Sequence, residues 1–102
     1  MSTTYRECDP NTLAAQIGRM NILAISGGRV QVRPTGITLP VSNGYRVTVD
    51  LAADDTYTVT RIFVRGRNTW VKGQMTGVYC DEVGEVAYQA SNFRSDPDWA
   101  AS

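Results

Sequence analysis

The chain has 102 residues, of which 42% are apolar and 20% charged, the size and make-up of one folded domain. Ten bases balance ten acids, which excludes a histone-like, tail-driven or strongly acidic protein. There is no histidine, which excludes Ser-His-Asp and Cys-His catalysis, HExxH zinc sites and histidine pH switching.

The zero net charge is a sum of unlike parts. Residues 19–72 hold seven arginines and Lys72 against Asp50, Asp54 and Asp55, a net +5, and the two ends hold the opposing −5. Arginine matches carboxylate or phosphate through a rigid fork, so the middle segment has the means to attract a polyanion. Alternatively, the acidic ends neutralise it within one fold. Cys8 and Cys80 stand in no metal-like spacing and read as free thiols in a reducing compartment. They would bridge only if the N-terminal arm lay beside residue 80. No stretch is long and apolar enough to span a membrane, and residues 1–20 lack a signal-peptide pattern. An intracellular, cytoplasmic location is the resulting expectation.

Residues 1–8 are polar and read as a flexible arm. Asp9-Pro10 starts a helix, since Asp caps and Pro suits the first turn. Leu13, Ile17 and Met20 or Asn21 recur at helical spacing. Gly18 either ends this helix or marks a tight crossing, Met20–Ile25 continues as helix, and Ser26-Gly27-Gly28 is a stop.

From Arg29 the period becomes two. Val30 and Val32 alternate with polar residues, Pro34-Thr35-Gly36 turns, and Ile37, Leu39 and Val41 alternate again. Asn43-Gly44 suggests a two-residue loop, but that register puts Leu39 on the wrong face. A three-residue loop with Gly44 left-handed pairs Leu39 with Val47 and Ile37 with Val49, and burial selects it. Tyr45–Leu51 is the next strand, Ala52–Asp55 a turn and Thr56–Arg65 a long strand. Gly66-Arg67-Asn68 closes a hairpin with Asn68 left-handed, and Thr69–Met75 returns. The short connections make these antiparallel neighbours. A last helix spans about Val78–Ser91, with an apolar stripe of Tyr79, Val83, Val86, Ala87 and Ala90 and with Asp81, Glu82 and Glu85 in its first turns. Residues 95–102 read as a flexible tail.

The fold expected is α+β: a single domain over residues 9–94 in which a helical N-terminus, a meander of about five antiparallel strands and a C-terminal helix pack on one sheet face. Tyr45, Val47, Val49, Leu51, Tyr57, Val59, Phe63, Val71 and Met75 align as the core face. Arg61 falls among them, at the core edge or displaced by a bulge near Thr60. The opposite face is polar except for Ile62, Val64 and Trp70, which with Arg46 and Lys72 form an apolar spot with a basic rim. A C-terminal segment carrying Trp99 folding over it, or a bulge burying Ile62 and Val64, would account for the spot without a partner.

Chemistry is sparse. Asp81 and Glu85 share a helical face but have no further ligand type beside them, so no metal site is assigned. Cys80 at a helix start lacks a histidine base, and Ser26-Gly27-Gly28-Arg29 lacks the P-loop spacing. No catalytic residue and no cofactor are assigned. The expectation is a non-enzymatic protein that binds another protein, or a copy of itself, through Arg46, Ile62, Val64, Trp70 and Lys72. The alternative is nucleic-acid binding through Arg46, Arg65, Arg67 and Lys72.

Four blocks carry a resemblance: Gln16 to Arg29 (QIGRMNILAISGGR), Asp55 to Val59 (DTYTV), Val71-Lys72-Gly73, and Val78 to Ser91 (VYCDEVGEVAYQAS). They resemble a family of small uncharacterised proteins of phages, prophages and related mobile elements, notably in actinobacteria. The resemblance covers roughly residues 12–94 and implies a bacteriophage gene product in a bacterial cytoplasm; the partner expected on the binding reading above is then a host or phage protein, or another copy of the chain. It implies no activity and no site residue. Near the end of the last block the family pattern has a second Cys where this chain has Asn92, so any thiol pair of that Cys with Cys80 is lost here.

Overall fold

The computed structural model describes residues 7–41 and 44–92. Most of the expected arm, the whole of the expected tail and loop positions 42 and 43 lie outside the described residues. Cys8, the last residue of that arm, is half-buried, and its N–H donates to the Pro34 carbonyl at 3.0 Å.

Helix α1 (Pro10–Ile17) starts as its sequence dictates: Asp9 accepts from the Asn11 N–H at 2.9 Å and from the Thr12 hydroxyl at 3.2 Å. Gly18, at φ 94°, breaks the path, and α2 (Arg19–Ser26) continues in a new direction until Gly27 stops it in the left-handed conformation. The break leaves the Ile17 carbonyl without a helical donor, and the Asn21 side-chain amide supplies one at 2.8 Å.

Five antiparallel strands follow in strict chain order: β1 (Gln31–Arg33), β2 (Gly36–Pro40), β3 (Tyr45–Leu51), β4 (Tyr57–Arg65) and β5 (Asn68–Val78). The β2–β3 register pairs Leu39 with Val47 and Ile37 with Val49, the Val41 N–H donates to the Tyr45 carbonyl, and Gly44 sits at φ 87°. The three-residue loop is the one that burial selects. Helix α3 (Val83–Asn92) packs on β3, β4 and β5, while α1 and α2 pack on β2 and on α3. The core between the layers holds Leu13, Ile17, Ile37, Leu39, Val47, Val49, Val59, Val83, Ala87 and Ala90, all almost fully buried. This is the expected α+β fold, with the helices on one face.

Several boundaries differ. Asn68 pairs with Arg65 inside β5, so the hairpin turn is Gly66-Arg67, with Gly66 rather than Asn68 left-handed. β5 runs on to Val78, which pairs with Tyr57, and helix α3 begins only at Val83. The pairing of Tyr57 with Val78, both buried in the core, extends the sheet at the expense of the first expected helical turn. Tyr79 is therefore exposed rather than part of a buried stripe, and Asp81 and Glu82 lie in the turn before α3. Asp81 and Glu85 share no helical face.

Gly84 sets the approach of α3 to the helical break. A Cβ there would collide with the Ile17 carbonyl and stand 2.8 Å from the Asn21 amide. Gly84→Ala should therefore lower stability by about 1–3 kcal/mol in urea unfolding, although alanine is the better helix former.

Tyr57 connects sheet and helices, its hydroxyl donating to the Gln16 side-chain oxygen. Burial, then the charges of Cys8 and Cys80, push its pKa above the ordinary 10.0. The unfolded chain thus loses this proton first, and stability should fall as pH rises past about 10. Denaturation midpoints between pH 9 and 11 should show that decline, and Tyr57→Phe should flatten it.

Candidate functional site

The end of the β4–β5 hairpin is the part of the sheet where the residues of interest converge. Two register shifts shape it. Between Arg61–Gly73 and Ile62–Val71 the strand β5 takes two steps where β4 takes one, so Lys72 is an extra residue in β5. Between Tyr57–Val78 and Val59–Met75 a second extra residue enters near Gly77, which has φ 67°.

The bulge at Lys72 reverses the facing of everything between it and the turn. Trp70 pairs with Phe63 and therefore lies on the helix side of the sheet, not beside Ile62 and Val64. Val71, expected in the core, pairs with Ile62 on the opposite face and is 54% exposed. The five-residue spot of Arg46, Ile62, Val64, Trp70 and Lys72 is thus not one surface. Arg46, Ile62 and Val64 share the open face with Val71, Trp70 leaves it, and Lys72 stands exposed in the bulge.

On the helix side, Trp70 joins an aromatic row across three strands. Its ring stacks on Phe63 at 5.7 Å between centroids and 30° between planes, and Phe63 meets Tyr45 at 4.9 Å and 51°. Gly44 makes room for this row, since a Cβ would stand 3.2 Å from the Phe63 ring and 2.8 Å from the Val64 carbonyl. Trp70 remains 44% exposed at the outer end. Arg65, two residues beyond Phe63 on the same face, and Arg67 in the turn extend the row with exposed cations.

Arg61 closes the inner end. It stays on the core side and is only 6% exposed. Its guanidinium lies 4.3 Å from the Tyr45 ring centroid and donates to the Ala90 carbonyl in the last turn of α3. Burial lowers its pKa from the ordinary arginine value, and Tyr45 opposes that shift. Arg61 is structural, with its charge spent on a helix end and a ring.

The charges around the hairpin are one-sided. From Thr56 to Cys80 the sequence contains Arg61, Arg65, Arg67 and Lys72 and no Asp or Glu. The acids of the middle segment are used elsewhere. Asp50 binds Arg33 at 2.7 Å and the Thr35 hydroxyl at 2.8 Å on the open face, and Asp54 accepts from Thr56 in the β3–β4 turn. The Arg33–Asp50 pair lies within the middle segment itself, and the acidic ends supply no ion pair to Arg46, Arg65, Arg67 or Lys72 among the described residues.

Cys8 is half-buried and Cys80 exposed, both as free thiols. Burial, then Asp9 and Asp50, raises the Cys8 pKa, which makes it a poor nucleophile. No group of three or more metal-ligating side chains occurs among the described residues, and none of their helices is long and apolar enough to cross a membrane.

Arg61→Ala should cost about 2–4 kcal/mol, because it removes a buried cation's contacts and leaves a buried carbonyl without its donor. Faster hydrogen exchange in the last turn of α3, with β1–β2 amides unchanged, is the expected local signature. No family model, no curated protein and no solved structure matches this chain.

Proposed function

We propose that this chain is a small non-enzymatic module that binds single-stranded nucleic acid through the end of its β4–β5 hairpin. The observation that carries the reading is Trp70, half-exposed and stacked on Phe63, in a 25-residue stretch with four bases and no acid. A base has a face to stack on and its phosphates have Arg65, Arg67 and Lys72 within the same hairpin, with Arg46 behind. The absence of carboxylates from this stretch matters more here than the net charge of zero, because salt limits an exposed charge's reach to about 8–10 Å. The resemblance to phage and mobile-element proteins supports an accessory role in a bacterial cytoplasm.

A second reading is supported by the open face. Ile62, Val64 and the exposed Val71, rimmed by Arg46, suit a host or phage protein or another copy of the chain.

Fluorescence anisotropy with labelled single-stranded DNA and RNA separates the two. Binding should weaken with salt at a log–log slope of about −2 to −3, as three or four phosphate contacts require. Trp70→Ala should weaken it about tenfold or more, and Val71→Ser should leave it unchanged. No binding at low salt removes the nucleic-acid reading. Capture of a protein that depends on Val71 and not on Trp70 would favour the second.

A further inference from the structure

The break at Gly18 splays α1 from α2 and leaves a cleft between the two helices and the segment entering β1. The cleft holds about 450 Å³, within the range of small-molecule sites. Its walls are Ala14 and Ala15 of α1, Ile22 and Leu23 of α2, and Val30. Gly28, at φ 91°, also lines it, and a Cβ there would stand 3.4 Å from the Leu23 side chain. The volume exists because Ala14, Ala15 and Gly28 place at most one side-chain carbon each where larger residues would fill it.

Among the described residues Arg19 is the one charged residue of the lining. No Asp or Glu occurs between Asp9 and Asp50, and no described carboxylate pairs with Arg19. A cleft with apolar walls and a single cation selects a ligand with an apolar body and one anionic end. The volume suits a single chain and is too small for a two-chain phospholipid. Leu23, 46% exposed, and Val30 are apolar surface that such a chain would cover.

We propose that the α1–α2 cleft is a binding site for a free, single-chain aliphatic carboxylate, with the chain against Ala15, Leu23 and Val30 and the carboxylate on the Arg19 guanidinium. The site lies on the helical layer and shares no residue with the hairpin end, so it stands or falls separately from nucleic-acid binding.

The test is an amide NMR titration of the full chain with decanoate, held below the concentrations at which it forms micelles. Decanol and decyltrimethylammonium serve as probes with the same chain and a different head. Decanoate should give saturable shifts at Ala14, Ala15, Leu23 and Val30. It should bind about tenfold more tightly than decanol, and the ammonium should bind least. Arg19→Gln should remove the preference for the carboxylate while decanol binding persists. Ala15→Phe, at an exposed position, should abolish all three with the remaining spectrum intact. Equal affinity for the three heads, or an Arg19→Gln variant that binds decanoate as well as the wild type, overturns the proposal. So does an absence of saturable shifts. Shifts at these residues that follow protein concentration alone would assign the cleft to a second copy and overturn it too.

Discussion

The buried guanidinium of Arg61 is the constraint around which the two layers are arranged. A permanent cation on the core side of a central strand must be given compensation, since desolvating it alone would cost several kcal/mol. The fold supplies a ring on one side, Tyr45, and a carbonyl from a helix end on the other, Ala90. Satisfying Arg61 therefore fixes where the last turn of α3 must lie over β4. It also holds Tyr45 at the tilt that lets Phe63 and then Trp70 follow in a row. The aromatic surface at the hairpin end is an extension of the same contact that ties sheet to helix.

The other end of α3 is fixed by a different device. Gly84 lies against the Ile17 carbonyl, which is exposed because Gly18 interrupts the helix. Two glycines, one creating a break and one fitting against it, bring the first and last helices together. The same break opens the cleft beside Arg19. Close packing on one side of the helix pair and free volume on the other are thus two results of one interruption.

The hydrophobic alternation of β2, β3 and β4 was legible because one face is buried and a one-residue slip would expose it. Leu39, Val47, Val49 and Val59 leave a single workable register. The facing of β5 was not legible by that means, since its residues near the turn are mostly exposed and alternation there is weak. Counting back from Met75 without a bulge puts Val71 inside and Trp70 outside, and the structure has the reverse. A signal was available in Lys72-Gly73: glycine in a strand interior often marks a bulge. Two places were open to Arg61, the core edge or a displacement by a bulge near Thr60; the structure keeps it on the core side, and the irregularity beside it is an extra residue in the partner strand. The end of β5 was misplaced because Val78 suits either a strand or an apolar helix face. The Gly18 break was legible only as an alternative, and the cleft it opens was not foreseen, because an absence of side-chain volume leaves no pattern in a sequence.

The strict chain order of the strands matters for how the protein is made. A ribosome delivers α1, α2 and the whole meander before α3, and each hairpin can close on its nearest neighbour as it emerges. Until α3 arrives, however, Val47, Val49 and Val59 have no cover from it, and Arg61 lacks the Ala90 carbonyl. The nascent sheet therefore passes through an interval with an apolar face bearing a cation that has its ring contact but not yet its helix end. That charge makes the face a poor template for another apolar surface, so the residue that later ties down α3 also guards the sheet while it waits.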